Sequence, residues 1–126
     1  FQQRQWAAAE IAWQQALQLY RTTGNRQGEG RVLGNLAAIQ DALGNTSKVL
    51  ELFQASLAIA QELKDNRGEI FARSNLAYAY RNQGKFKAAI AELQLALPLA
   101  RQSQDPESEF EILNQLGIGY RALGQY

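Results

Sequence analysis

The sequence repeats itself every 40 residues, and this period constrains the fold more than any other feature. Leucines and glycines recur at the same spacing, and the residues around the leucines match as well. The recurring positions are Leu36, Leu76 and Leu116, and Gly44, Gly84 and Gly124. A fixed period of this size is typical of stacked helical repeats, in which neighbouring repeats bury a continuous core. We therefore expect an all-α solenoid, a class that offers long binding surfaces and rarely carries catalytic chemistry.

The composition argues against most enzyme chemistry. The 126 residues include no Cys and no His, so a thiol nucleophile, an imidazole base and the usual zinc ligands are all missing. The net charge of +1 provides no strong attraction to nucleic acid or to an anionic membrane. No apolar run reaches the roughly 18 residues that span a bilayer, and the lack of Cys favours a cytoplasmic location. We expect no enzyme activity, cofactor, metal, nucleic-acid partner or membrane partner.

Each period divides into two helices, A and B. Asn25, Asp65 and Asp105 are suitable N-caps for three A helices, and the recurring glycines are suitable residues to end them. The short turns that follow force each A helix and the next B helix to run antiparallel. Six helices are predicted in the order B, A, B, A, B, A, over 5–22, 26–43, 47–63, 66–83, 86–103 and 106–123. Pro98 is expected to kink the last B helix or to end it early.

The small and apolar residues of both helices resemble the tetratricopeptide repeat. In that family helix A carries Leu-Gly-x2-Tyr and helix B carries Ala-x3-Phe-x2-Ala. The matching residues are Leu76, Ala77 and Tyr80 for the first pattern, and Ala89, Leu93 and Ala96 for the second. The period of 40 rather than 34 resembles kinesin light chains, Leu-Gly-Asn-rich polarity adaptors and large bacterial signalling proteins. HEAT and armadillo repeats share this period but lack the Gly-Lys-Phe type of turn found at Gly84.

The resemblance implies one domain over 1–126 that forms a right-handed α–α superhelix of six antiparallel helices. Its parts are helix B of a truncated repeat at 1–24, full repeats at 25–64 and 65–104, and helix A of a truncated repeat at 105–126. The implied function is that of a non-catalytic protein–protein interaction scaffold. Such a scaffold binds a peptide segment of a partner in a concave groove lined by the A helices.

The resemblance also assigns one face of each A helix to this groove. The predicted peptide-binding residues are Arg31, Asn35 and Ala38 on the first A helix, Phe71, Asn75, Tyr78, Arg81 and Asn82 on the second, and Gln115, Ile118 and Arg121 on the third. The wider wall of the groove includes Gly34, Ser74 and Glu111.

Three residue types in this set indicate how a peptide is held. Asn35 and Asn75 can each donate and accept, and so clamp a peptide backbone; otherwise they are exposed polar residues or bond a neighbouring helix. The arginines suit an acidic partner through bidentate pairing; otherwise they are solvated or paired within the chain. Phe71, Tyr78 and Ile118 either anchor a ligand or pack on adjacent A helices.

The alternative function is a structural or oligomerisation spacer within a larger signalling protein. The first B helix has no preceding A helix and the last A helix has no following B helix, so apolar side chains are expected to lie uncovered at both ends. We expect these to be Trp6 and Trp13 at one end and Leu116 and Tyr120 at the other. Either the natural protein continues in both directions, as the absence of Met also indicates, or copies associate head to tail.

Overall fold

A computed structural model describes residues 2–124 of the chain, and the side chains from residue 4 onward. Over this range the regular structure is entirely α-helical. The helices are α1 (Gln2–Thr23), α2 (Arg26–Ala42), α3 (Thr46–Glu62), α4 (Asn66–Asn82), α5 (Phe86–Gln102) and α6 (Pro106–Ala122). The sequence-based spans of α2 to α6 are correct to within one residue at each end, and α1 begins three residues earlier than predicted. Residues 1, 125 and 126, which the predicted repeats include, lie outside the described residues.

The three A helices, α2, α4 and α6, begin at the side-chain caps that the sequence predicts. Asn25 accepts a hydrogen bond from the Gly28 backbone N–H at 2.9 Å, and Asp65 accepts the equivalent bond from Gly68 at 3.0 Å. Asp105 caps α6 in the same way through the Ser108 backbone N–H, and Pro106 occupies the first turn. The B helices α3 and α5 begin without a side-chain cap hydrogen bond.

Left-handed residues end the helices of both kinds. Gly44, Gly84 and Gly124 follow the A helices with φ of +80°, +76° and +73°, as the sequence predicts. Lys64 and Gln104 occupy the corresponding position after α3 and α5, with φ of +54° and +53°. This conformation costs an L-residue with a Cβ roughly 1–2 kcal/mol. The packing around the turns after these B helices must therefore offset this conformational cost.

Pro98 lies inside α5 without ending it. The helix continues to Gln102, which is the position equivalent to the last residue of α3, Glu62. The expected early end is therefore wrong. Pro98 is on the exposed side of α5, so the backbone carbonyl that loses its intrahelical bond, that of Gln94, is accessible to water.

The chain divides into two compact units, Phe1–Lys64 (unit 1) and Asp65–Tyr126 (unit 2). Their boundary coincides with the predicted boundary between the two full repeats. In unit 1, α2 packs against both α1 and α3. The core of unit 1 includes Leu17, Val32, Leu33, Leu36 and Ile59, with Trp13, Ala16, Tyr20 and Leu52 packed against them.

In unit 2, α5 packs against both α4 and α6, while α4 and α6 touch over a short stretch. Because the connections are short, successive helices run in opposite directions, so α4 and α6 run in the same direction. The core of unit 2 includes Ile70, Ala77, Ala89, Ile90, Leu93, Ala96, Ala100, Ile112 and Leu116.

This packing corrects the prediction of uncovered residues at the ends. Leu116 is buried in the unit 2 core with Tyr120 against it, and Trp13 packs against the unit 1 core. Both faces are covered by helices already present, α5 and α2 respectively. Trp6 is exposed, as predicted, but the large apolar side chains that α6 exposes are Phe110, Leu113 and Ile118.

Candidate functional site

Unit 2 contains an open cleft between α4 and the beginning of α6, with a cavity of about 330 Å³. Since α5 packs against both helices and they touch each other only over a short stretch, a trough is left between them. The residues that line this α4–α6 cleft are Arg67, Ile70, Phe71, Ser74 and Asn75 from α4, and Asp105, Ser108 and Glu111 from the start of α6. It combines apolar, hydrogen-bonding and charged side chains.

The structure brings part of the predicted groove together at this cleft. Phe71 and Asn75 line the cavity, as do Ser74 and Glu111 of the wider wall. The remaining predicted residues of unit 2 lie further along the same two helices: Tyr78, Arg81 and Asn82 on α4, and Gln115, Ile118 and Arg121 on α6. In unit 1, Arg31, Asn35 and Ala38 are exposed on α2 and stay predicted contacts, whereas Gly34 is buried and does not form a surface.

Apolar side chains in the predicted set remain partly open to solvent. Phe71, Tyr78 and Ile118 are each at least 40% exposed, although they belong to helices that pack in the core of unit 2. Packing on an adjacent A helix therefore does not bury them within the described residues. Exposed apolar side chains beside a cavity are the common arrangement of a ligand-anchoring surface.

The two predicted clamp residues differ in their surroundings. The Asn75 side-chain N–H donates to the Phe71 backbone carbonyl at 2.8 Å, a bond to the preceding turn of its own helix. This bond fixes the Asn75 amide and leaves its carbonyl oxygen and second N–H for other partners. Asn35 is exposed on α2.

The predicted arginines are free of internal ion pairs in the part of the chain that the structure describes. The guanidinium of Arg81 lies 5.2 Å from the centre of the Tyr78 ring, which is a cation–π distance. Arg31 and Arg121 are exposed, and the ion pairs between described residues include neither of them. The charges of these three arginines therefore remain accessible to a carboxylate from outside.

At the charged end of the cleft, Glu111 was predicted as part of the groove wall, whereas Arg67, Asp105 and Ser108 were not assigned to it. Asp105 accepts hydrogen bonds from the Ser108 hydroxyl at 2.7 Å and from its backbone N–H at 3.1 Å, and these bonds, with the charge of Arg67, lower the pKa of Asp105. Asp105 therefore stays ionised, and its carboxylate is directed at the first turn of α6. Glu111 is exposed and has no ion pair within the described residues. The cap signal at Asp105 could have identified this end, because an N-cap carboxylate must lie at the start of α6.

Two further observations concern metals and membranes. The described residues contain no group of three or more acidic side chains placed to hold a metal ion. Across the same part of the chain, no helix combines the length and the apolar character that crossing a bilayer requires.

Comparison with known proteins identifies the repeats. The tetratricopeptide-repeat profile matches residues 1–62 and 69–126. The regulatory protein AfsR of Streptomyces coelicolor is 34% identical over 61 residues, which is 48% of this chain and 6% of that protein. The crystal structure of a putative kinesin light chain with nearly identical TPR-like repeats from Podosopora anserina matches 98% of this chain and 62% of its own, with a TM-score of 0.80 and 20% identity. That similarity confirms the expected all-α, tetratricopeptide-like solenoid fold.

Proposed function

The chain belongs to the tetratricopeptide-repeat family, and on this premise we propose that it is a non-catalytic scaffold that binds a peptide segment of a partner protein. Repeats of this family generally act as protein–protein interaction scaffolds, and the fold is typically non-catalytic. The proposed binding site in unit 2 is the α4–α6 cleft with the residues beyond it on both helices. The observation that carries the proposal is the open cavity of about 330 Å³, which mixes apolar and hydrogen-bonding side chains.

The cavity suits an apolar side chain of the peptide. Its volume lies at the lower end of the range of about 300–1,000 Å³ found for small-molecule pockets. Ile70 and Phe71 supply the apolar contacts, while Ser74 and Asn75 on the same helix supply hydrogen-bonding groups for the peptide backbone. Because Asn75 is already fixed by its bond to the Phe71 carbonyl, little conformational entropy is lost when it binds.

The charges favour an acidic segment with a defined spacing. Arg81 follows Phe71 by ten residues on α4, a distance of about 15 Å along the helix axis. An extended peptide advances about 3.3 Å per residue, so about four to five residues separate the apolar anchor from the acidic residues that meet Arg81 and Arg121. Glu111 at the cavity repels a carboxylate beside the anchor itself. The net charge of +1 further supports a protein partner over nucleic acid, because nucleic-acid binding depends on neutralising many phosphates. We further propose a cytoplasmic location and no cofactor.

A peptide-display selection tests this proposal. The immobilised chain is compared with an Asn75→Ala/Arg81→Ala variant and with a control, Lys87→Ala/Gln102→Ala, which changes exposed residues of α5 outside the cleft. We expect peptides with an apolar residue and downstream or upstream acids to be enriched by the wild type and the control, and lost on the cleft variant. Equal enrichment on all three folded proteins, or none on the wild type, would exclude recognition in the cleft.

A second candidate function is a structural spacer whose copies stack end to end. The observation in its favour is the exposure of Phe110 and Leu113, which lie on a face of α6 that does not line the cleft. The two functions predict different effects of substitutions on partner binding. Under the spacer function, substitutions in the cleft leave all partners bound, whereas substitutions of Phe110 and Leu113 release them.

A further inference from the structure

The cavity of the α4–α6 cleft has an apolar side chain on one helix and a carboxylate on the other. Phe71 of α4 and Glu111 of α6 both line it. They are 40 residues apart, so they hold the same position in two neighbouring A helices. Because α4 and α6 run in the same direction, equivalent residues lie at about the same level along the cleft. A peptide side chain that packs on Phe71 therefore brings the residues beside it close to Glu111.

The Glu111 carboxylate has no opposite charge paired with it in the part of the chain that the structure describes. Its side chain is exposed, and the ion pairs between described residues do not include it. Glu107, one turn earlier on the same side of α6, is also exposed and outside these pairs, although it does not line the cavity. A cleft with protein walls concentrates the field of such charges, so a cation is attracted more strongly there than on an open surface.

Two other acidic residues at the start of α6 already have positive partners. The positive charge of Arg67 stabilises the ionised form of Asp105, which also caps the first turn of α6. Glu109 forms an ion pair with Arg101 of α5 at 2.9 Å. Among the described residues that line the cavity, Glu111 is left as the charge without a counterpart.

The charge further along the cleft has the opposite sign. Arg81 follows Phe71 by ten residues on α4, a distance of about 15 Å along the helix axis. Its guanidinium lies over the Tyr78 ring and forms no ion pair within the described residues. The surface is therefore negative beside the anchor cavity and positive beyond it. A ligand complements both ends only if its own charges follow the reverse order.

We propose that the bound peptide carries a Lys or Arg within two residues of its apolar anchor, and that Glu111 selects this residue through an ion pair. The inference rests on the proposed function, because it requires the peptide to lie in the α4–α6 cleft. In an extended peptide, alternate residues point to the same face and lie about 7 Å apart, which a long basic side chain spans. Its aliphatic stem also packs on the exposed Phe71 ring while the charged group reaches Glu111. The partner segment is thus basic at the anchor and acidic four to five residues away, and a segment that is acidic throughout is disfavoured.

Selection from a random twelve-residue peptide-display library tests the proposal. The immobilised wild type is compared with Glu111→Lys and with a control, Glu51→Lys, which makes the same charge change at an exposed residue of α3 that the ion pairs do not include. We expect the wild type and the control to enrich Lys or Arg within two residues of an apolar residue. Glu111→Lys should enrich Asp or Glu at that place instead.

Calorimetric titration of one enriched peptide measures the size of the effect. The peptide and a version with its basic residue replaced by Gln are each titrated into the wild type and into Glu111→Gln. Removing either charge should weaken binding roughly 5-fold, and removing the second should add little, because the two charges act on each other. The difference between the two peptides should shrink at high salt, which screens exposed charges.

The outcomes separate this inference from the proposed function. Peptides without a basic residue beside the anchor, lost on Asn75→Ala/Arg81→Ala but unchanged on Glu111→Lys, would overturn the inference and leave recognition in the cleft intact. No enriched peptide on the folded wild type would overturn both. An equal loss of affinity for the basic and the Gln peptide on Glu111→Gln would also overturn the inference, since Glu111 would then act on the shape of the cleft and not on the cation.

Discussion

Each unit buries a charged side chain at the junction of its helices, and the two charges are opposite. In unit 1, Glu29 is 9% exposed and lies between Arg21 at 3.0 Å and Arg26 at 2.8 Å. In unit 2, Arg73 is 10% exposed and lies between Glu69 and Glu92, both at 2.8 Å.

The repeat explains why the charge changes sign. Glu69 is the equivalent of Glu29, but the residue at the position of Arg21 is Gln61, which cannot supply a positive charge. Glu69 instead pairs with Arg73 on the next turn of its own helix, and Arg73 reaches Glu92 on α5.

The same interface position is apolar in unit 1. Leu33 and Leu52 stand where unit 2 has Arg73 and Glu92, and both leucines belong to the unit 1 core or pack against it. The contact between an A helix and its B helix therefore accepts either an ion pair or two apolar side chains, provided that both residues change together. What stabilises this contact is that the two residues suit each other, since an apolar pair of similar size is often as stable as a buried ion pair.

The strongest test of this comparison is to remove one side of the ion pair. Arg73→Leu leaves Glu69 and Glu92 facing an apolar side chain, and it should lower the free energy of unfolding by about 3 kcal/mol. The double variant Arg73→Leu/Glu92→Leu, which imitates Leu33 and Leu52, should recover part of that loss, because Glu92 is no longer unpaired while Glu69 still is. Urea unfolding measures both. A double variant no more stable than the single one would show that the two units are not interchangeable at this position.

A smaller effect is expected from the buried anion of unit 1. Burial of Glu29 raises its pKa, but hydrogen bonds from Arg21 and Arg26 outweigh burial, so the pKa lies below the usual 4.5. A lowered folded-state pKa gives stability that is complete above the unfolded-state pKa and is lost as pH falls through the folded-state value. Stability from this group should therefore be constant from neutral pH down to about 4.5 and decline below that pH.

Glu29→Gln isolates this contribution. Because both arginines are about half exposed and screened by solvent, the substitution should cost only about 1 kcal/mol at pH 7. Its unfolding free energy should also fall less steeply than that of the wild type below about pH 4.5. Parallel curves for the two proteins would mean that Glu29 contributes nothing to the pH dependence.

The smallest effect concerns the turns that end the B helices. Lys64→Gly and Gln104→Gly should each stabilise the chain by up to about 1 kcal/mol, because glycine removes the steric cost of positive φ but adds freedom to the unfolded chain. Gly24 already occupies the equivalent position after α1 with φ of +73°, and Gly24→Ala should destabilise by a similar amount. Thermal unfolding of the three variants shows whether each one raises or lowers stability as expected. Destabilisation by either new glycine would contradict the expected gain.

The period made the helices predictable, because caps, glycines and leucines recur together and each fixes the same boundaries. Lys64 and Gln104 were not foreseen as left-handed residues, since neither is a residue type that favours this conformation. Leu116 was assigned to the wrong surface because periodicity alone does not say which neighbour covers a helix face. Phe71 and Asn75 were predicted on one face of α4 and both line the cavity, but the full cleft depends on how far α5 holds α4 from α6. That spacing is a property of packing between helices and not of any one segment.

The caps of the helices have a consequence for local opening. The first turns of α2, α4 and α6 are held by a side chain, whereas α3 and α5 begin without such a bond. Uncapped first turns fray more readily, so their amide hydrogens exchange with solvent sooner than those of the capped turns. The links from α2 to α3 and from α4 to α5 are thus the least protected backbone between these helices. They are where added residues are best tolerated and where a protease gains its first access.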